Sequence, residues 1–448
     1  MIHRGDGLAS VKGDQHRKLK RLLSPLFTAS NVSKLEAIFY HVAYRLRETV
    51  AEEVVGFSSR DIFGMLSSTA LELIVKGGIS YPLDCLAAGD AKFSDFQRAL
   101  NTVLPTAGRL WMVIPYFESW RKLRPVWLRR FLSRLVLYLP WKAAREFKQC
   151  CDLMDQTCRD MYGYQQNLSL KKLGRISGRD LCTHLLEAKE SIDCKHVLTN
   201  DDIVANMSSI ILAGHETTTS AMSRLLHILA ARPELQERVR EEIVSARTNN
   251  DGKDLNYRQL DNLPLLDAVC RETLRLFPPV IFVGRETAQD TIVPLKFPIH
   301  DMAIGSQELR ILKGTRVYVG IGAINRSEEL WGTSANQFIP ERWFNREDRT
   351  QHAFKMPGVY SDSLTFLGGA RSCLGMKFAL FEIKLLTSVL LGRFALGLSD
   401  KEICWRLDTT VLPYVEGETH KGPSLPLIVK DLQVGDLGED HKRESFTK

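Results

Sequence analysis

Near the C-terminal end, the residues Phe366-Leu367-Gly368-Gly369-Ala370-Arg371-Ser372-Cys373-Leu374-Gly375 run a glycine-rich loop into an apolar stretch that reads as a helix from about 374 to 391. A cysteine at such a junction is placed for thiolate chemistry. The N–H groups and macrodipole of a helix start stabilise negative charge, which lowers the thiol pKa and leaves a sulfur able to bind a soft metal. Gly369 and Gly375 let the backbone approach a flat cofactor, and Arg371 puts a cation two residues before the sulfur. The bland alternative is a small buried cysteine beside glycines, the commoner use of the residue.

A second constellation lies about 160 residues earlier. Ala213-Gly214-His215-Glu216-Thr217-Thr218 interrupts a long helical pattern with a glycine, an acid and two hydroxyls. Threonine hydroxyls that bond back to the preceding turn loosen the helix ladder, so the expectation is a local distortion where water or a ligand can sit, or simply a kinked buried helix. Glu272 and Arg275 are three apart on a helix beginning near Leu265 and share one face, a pairing worth under about 1 kcal/mol when solvated.

The elements that must position these groups fall into two textures. Apolar residues recur at three and four spacing through 32–56, 61–77, 143–165 and 200–231, which reads as an α-rich body. After about residue 278, short β-like runs such as 289–295 and 315–321 alternate with prolines and glycines before the final helix. The fold class is mainly α with a smaller β part, one unit over 1–432 (α-rich 1–278, β-containing 279–432) with a polar tail over 433–448. With 448 residues and 44% apolar composition the chain can bury a large core, and its net charge of +7 is spread through helices, so nucleic acid is not the expected partner. Nine cysteines at irregular spacing argue against a disulfide framework. No run approaches the roughly 18–20 uninterrupted apolar residues of a membrane span. Residues 109–147 interleave Trp111, Tyr116, Phe117, Trp120, Trp127, Phe131 and Trp141 with Arg121, Lys122, Arg124, Arg129, Arg130 and Arg134. That mixture suits peripheral contact with a membrane surface or, equally, an amphipathic helix pair on its own core.

The cysteine string matches the haem-binding signature Phe-x-x-Gly-x-Arg-x-Cys-x-Gly of cytochrome P450 enzymes at every fixed position, and the chain resembles that family, eukaryotic microsomal and fungal in texture, from Gly13 to about Leu432. The resemblance implies the P450 fold and a haem b (iron protoporphyrin IX) whose iron takes Cys373, with Phe366 against the sulfur side of the ring and Arg371 at a propionate. The acid and alcohol pair looks like the family's distal motif, with Thr217 holding a water at the oxygen-binding face and Glu216 relaying protons from bulk. Glu272-Thr273-Leu274-Arg275 resembles the Glu-x-x-Arg helix and Pro340-Glu341-Arg342-Trp343 its partner motif, which implies a structural trio of Glu272, Arg275 and Arg342. His16 and Lys20 occupy the places of an early-helix propionate pair, departing from the common Trp-x-x-x-Arg form, and Arg285 matches a third propionate cation.

By the same resemblance, substrate-facing positions are Met207, Ile210 and Ala213 on the long helix, Val280, Ile281 and Phe282 after Pro278-Pro279, and the Thr410 region. They are mostly apolar and suit a lipophilic terpenoid, fatty or aromatic metabolite of secondary metabolism. The activity implied is NADPH-dependent monooxygenation with O2, fed by NADPH-cytochrome P450 reductase or by cytochrome b5, docking near Lys377 and Arg371, at the cytosolic face of the endoplasmic reticulum in the full-length form. Alternatives are a reductase-independent hydroperoxide isomerase, against which the intact Glu216 and Thr217 speak, and an inactive truncated protein. Compared with full-length family members, the chain is expected to start roughly a hundred residues late, without the anchor and first strands.

Overall fold

The computed structural model describes residues 5–53, 59–85, 91–110, 126–138, 140–170, 184–185, 198–295, 308–344 and 358–433. Eleven principal helices order the body in this part of the chain. They are α1 (Gly13–Leu23), α2 (Glu36–Glu53), α3 (Ile62–Leu73), α4 (Ala91–Arg109), α5 (Val126–Leu135), α6 (Lys142–Leu170), α7 (Asn200–Ala230), α8 (Pro233–Thr248), α9 (Tyr257–Asp261), α10 (Pro264–Leu276) and α11 (Met376–Leu391). The strands are β1 (Ser59–Asp61), β2 (Phe282–Glu286), β3 (Thr291–Pro294), β4 (Glu308–Ile311), β5 (Arg316–Gly320), β6 (Phe394–Leu398), β7 (Ile403–Leu407), β8 (Val411–Val415) and β9 (Pro426–Asp431).

The long helix α7 is the central post. A capping box starts it, with Asp202 N–H donating to Thr199 Oγ1 at 3.1 Å and Thr199 N–H to Asp202 Oδ2 at 2.9 Å. Pro233 begins α8 just beyond its end. α3, α6, α10 and α11 pack around it, and its residues Ile203, Val204, Met207, Ile211, Leu225 and Leu226 belong to the main buried core. α10 also begins on a proline, and the Glu242 carboxylate accepts the N–H groups of Leu265 and Leu266 at 2.7 and 2.9 Å, satisfying two donors that a helix start leaves free.

The β part consists of small antiparallel pieces: β2 on β5, β3 on β4, β7 on β8, and a three-stranded sheet in the order β1-β9-β6. The β-like runs read from the sequence over 289–295 and 315–321 contain β3 and β5. The sheet β1-β9-β6 joins residue 59 to residue 428, a pairing that no local pattern announces.

The segment Ile62–Ile79, α3 with a π-helical extension over Ile74–Ile79, is long and apolar enough by length and composition to cross a membrane. It is 72% buried inside the protein, however, with α2 and α7 against it, and so is a core helix. Of the aromatic and basic stretch 109–147, positions 111–125 lie outside the described residues, as does the tail beyond 433. Within the described part, Phe131, Leu135, Tyr138 and Trp141 are exposed, and so is Arg134.

Candidate active site

Cys373 sits three residues before α11. The loop that carries it is closed by the Cys373 N–H donating to the Phe366 carbonyl at 2.8 Å, and Gly369 turns at φ +64, a left-handed conformation suited to glycine, with nothing within 4 Å of where a Cβ would stand. A Cβ on Gly375 would meet only Phe27, at 4.0 Å, so space lies open on both sides of the cysteine. Phe366 is buried, its ring edge-on to Tyr360 at 5.3 Å.

Cys373 is an exposed residue of the loop. The expected lowering of its pKa is not what the geometry yields. Desolvation by the surrounding protein raises the thiol above its ordinary value, and the N–H groups of Gly375 and Met376 and the Lys20 ammonium oppose that rise without overcoming it. A metal bound at the sulfur would reverse the balance, since coordination deprotonates a thiol.

Around the loop lie the basic residues His16, Lys20, Arg371 and Arg285. His16 is buried on α1 and is held below its ordinary pKa by burial, then by Arg371 and Lys20. Arg371 donates to the Val11 carbonyl at 2.7 Å and is lowered by burial and by the neighbouring charge of Arg285. Neither Arg371 nor Arg285 makes an ion pair among the described residues. Lys20 departs from the expectation of a propionate contact. Its ammonium donates to the Ala370 carbonyl at 2.8 Å, the Ser372 carbonyl at 3.0 Å and Ser372 Oγ at 2.9 Å, so all three of its donors tie α1 to the cysteine loop. An exposed cysteine, open space beside Gly369, two arginines without an ion pair among the described residues, and a buried histidine held toward its neutral, hydrogen-bonding form together fit a haem carrying two carboxylates.

The segment 5–12 links this loop to α7, because Leu8 N–H donates to Asn206 Oδ1 at 2.9 Å while Val11 receives Arg371. The π segment does the same from the other side, with Ile74 against Gly214 and Gly77 facing Phe378 of α11. On α7 the expected distortion is absent, and Asn200–Ala230 is one unbroken helix. The hydroxyls of Thr217, Thr218 and Thr219 donate to the carbonyls four residues back at 2.7–2.8 Å, within an intact ladder. Gly214 serves packing, since a Cβ there would stand 3.0 Å from the Ile74 side chain.

Glu216 is buried. Its Oε1 accepts a hydrogen bond from Thr410 Oγ1, and its Oε2 has no partner among the described residues. Burial, then the charge of Asp408, push its pKa up to about 7 against the Thr410 hydrogen bond. Thr410, taken from sequence as substrate-facing, is therefore a ligand of the acid. His215 was not singled out. It is buried, bonds Ser67 Oγ through Nε2 at 2.9 Å, and is pushed down to about 4 by burial. Gln97 donates to the same Ser67 at 3.1 Å, so the network ties α7 to α3 and α4.

Ala213 is exposed and Ile210 half-buried on the Thr217 side of α7. Met207 does not join them. It is fully buried in the core because ten residues place it about 80° round the helix from Thr217. Val280 packs with Ile321 and Leu364, while Phe282 is exposed on β2 with its ring against Tyr318.

Glu272, Arg275 and Arg342 do meet. Arg275 Nε and Nη2 donate to the two oxygens of Glu272 at 2.9 and 2.8 Å, and Arg342 Nε donates at 2.9 Å. Trp343 Nε1 and the Ile339 N–H, both at 3.0 Å, complete the shell, two donors beyond the expected trio. Arg275 has its remaining N–H groups on the carbonyls of Asn325, Ala335 and Gln337, and the Trp331 ring covers it at 4.7 Å.

Comparison with known proteins agrees with this geometry. The sequence model of the family described as Cytochrome P450 matches residues 1–417. Cytochrome P450 monooxygenase 91 of Postia placenta is 34% identical over 432 residues, covering 94% of this chain and 78% of the relative. A ganoderic acid synthetase of Ganoderma lucidum is 32% identical over 438 residues, covering 96% and 79%. The cytochrome P450 monooxygenase eriI of Hericium erinaceus is 32% identical over 445 residues, covering 96% and 78%.

Proposed function

Because this chain belongs to the cytochrome P450 family, we propose that it is a monooxygenase acting on a lipophilic secondary metabolite of terpenoid, fatty or aromatic type, with Cys373, Glu216 and Thr217 as its working residues. The family enzyme is an oxidoreductase that uses haem b, O2 and NADPH-derived electrons delivered through a reductase. When bound, the haem supplies an iron that activates O2 for transfer of one oxygen atom to substrate.

The chain's own residues then have separable tasks. Cys373 would hold the iron through its sulfur, with the Gly375 and Met376 N–H groups and the Lys20 ammonium stabilising the negative charge there. Arg371, Arg285 and His16 meet the anionic edge of the ring, and Phe366 braces the loop from the core. Glu216, poised near neutrality, can take a proton from the Asp408 side and release it toward Thr217, because at its raised pKa both forms are populated at working pH. Ile210, Ala213 and Val280 offer apolar surface to substrate. The Glu272–Arg275–Arg342 network holds α10 to the segment before the cysteine loop.

Lys377 is exposed one turn beyond the cysteine and suits docking of an acidic reductase face, NADPH-cytochrome P450 reductase or cytochrome b5. The exposed Phe131, Leu135, Tyr138 and Trp141 beside Arg134 support peripheral contact with the endoplasmic reticulum surface. The observation that carries the reading is an exposed cysteine on a loop beside Lys20, Arg371 and Arg285, the two arginines making no ion pair among the described residues. Its test is the carbon monoxide difference spectrum of the reduced protein, expected to show a strongly red-shifted Soret band that Cys373→Ser abolishes. A band that survives the substitution would overturn the assignment of Cys373.

A further inference from the structure

Seven residues beyond Thr217, and so roughly 10 Å further along the same face of α7, Arg224 lies between two rings. Its guanidinium carbon is 4.4 Å from the centre of Phe277 and 3.4 Å from that of Trp405. The Trp405 indole N–H is held by His227 Nδ1 at 3.2 Å, which fixes the outer ring of the stack. Two aromatic rings therefore pack on the guanidinium, and its N–H edge is the part that meets a ligand. Its Nε is buried without a partner, and no group among the described residues accepts a hydrogen bond from it.

Arg224 lines a cavity of about 480 Å³ together with a second arginine, Arg326, and with Phe277, Ile281, Phe282 and Val411. Arg326 donates through Nε to the Leu276 carbonyl at 2.9 Å and makes no ion pair among the described residues. Burial and then Arg326 hold Arg224 down to about 9, and burial then Arg275 lower Arg326; neither arginine makes an ion pair among the described residues. The cavity is walled off from Glu216 by the start of β8. The Val411 N–H donates to the Pro279 carbonyl at 2.9 Å and its own carbonyl accepts from Ser220 Oγ at 2.6 Å, while the preceding residue, Thr410, donates to Glu216. The two sites are back to back.

We propose that this cavity, on the other side of β8 from Glu216 and lined by Ile281 and Phe282, which the resemblance had given as substrate-facing, is a second ligand site that takes an amphipathic monocarboxylate. The carboxylate lies against the edge of Arg224 with Arg326 beside it, and the apolar body lies on Phe277, Ile281 and Phe282. A planar carboxylate matches the two parallel donors of a guanidinium, and a desolvated pair of that kind is stronger than either partner's bond to water. The volume falls within the roughly 300–1,000 Å³ of small-molecule pockets.

The test is calorimetric titration of decanoate, below its micelle concentration, onto the haem-loaded chain with saturating imidazole occupying the iron. The expected result is one decanoate per chain, no change in the Soret spectrum, at least tenfold weaker binding in Arg224→Leu, and an intermediate loss in Arg224→Lys, which keeps the charge and loses the fork. Decanol, which lacks the charge, should bind at least tenfold more weakly to the wild type. The carbon monoxide spectrum of each variant checks that it has folded, and if Arg224→Leu fails that check the comparison passes to Arg224→Lys and to decanol. Absence of saturable decanoate binding, equal binding by a folded Arg224 variant, or equal binding of decanol would overturn the proposal.

Discussion

Replacing Glu216 by glutamine should change how stability depends on pH, by an amount set by the site. The carboxyl is buried, has one donor in Thr410, and is lifted from 4.5 to about 7. Because the folded pKa is raised, the folded chain keeps a proton that the unfolded chain releases. Stability therefore falls as pH rises from about 4.5 and levels off above about 7. At about 1.4 kcal/mol per pH unit, the lifted carboxyl withdraws roughly 3 kcal/mol across that window. Glutamine cannot titrate, so Glu216→Gln should lack this fall. Its absolute stability includes the separate effect of an unpaired amide donor beside the former Oε2 position, roughly 1–3 kcal/mol and independent of pH. The quantity to measure is therefore the difference between the two proteins, in which all other titrating groups cancel. Urea unfolding of both, from pH 4.5 to 8.5, followed by circular dichroism and tryptophan fluorescence with coincident transitions, gives that difference. It should move by about 3 kcal/mol in favour of the variant between the ends of the range. Thr410→Val, which removes the stabilising donor, should carry the wild-type window to higher pH. Parallel curves for wild type and Glu216→Gln would refute the account of a buried, half-neutral acid.

Glu272→Gln leaves two buried arginines facing a neutral group that can no longer satisfy all the donors around it, and should destabilise the chain by roughly 3–5 kcal/mol. With an unfolding entropy of about 2.1 cal/mol/K per residue, that is a fall in melting temperature of only about 3–5 °C in a chain this long, readable by calorimetry. A change under about 1 °C would mean the network is solvated. Gly214→Ala should destabilise by about 1–3 kcal/mol through overpacking on Ile74, and Ile74→Val should recover part of the loss in the double variant. Independent, additive effects of the two substitutions would show that the contact does not set the spacing of α7.

The chemistry-bearing residues were legible where they sit in one short stretch. Cys373, Arg371 and Gly369 lie within five positions, so their loop geometry follows from local sequence. Glu272 and Arg275 were legible because the helix period puts i and i+3 on one face. The long apolar-periodic segments likewise announced α2, α3, α6 and α7, and the apolar stretch after the cysteine announced α11. What needed the tertiary structure was each interaction whose partner is far along the chain. Thr410 reaches Glu216 across 194 positions, and Lys20 reaches the cysteine loop across more than 350. Trp405 covers Arg224 only because the β7–β8 hairpin folds back on α7. Met207 shows the limit from the other side, since its place on a helix was readable but the face turned to the core was decided by α7's neighbours. Local spacing determines which groups share a face or a turn. Which of them ends up buried, paired or charged is decided by packing, because desolvation depends on every element that closes over the group.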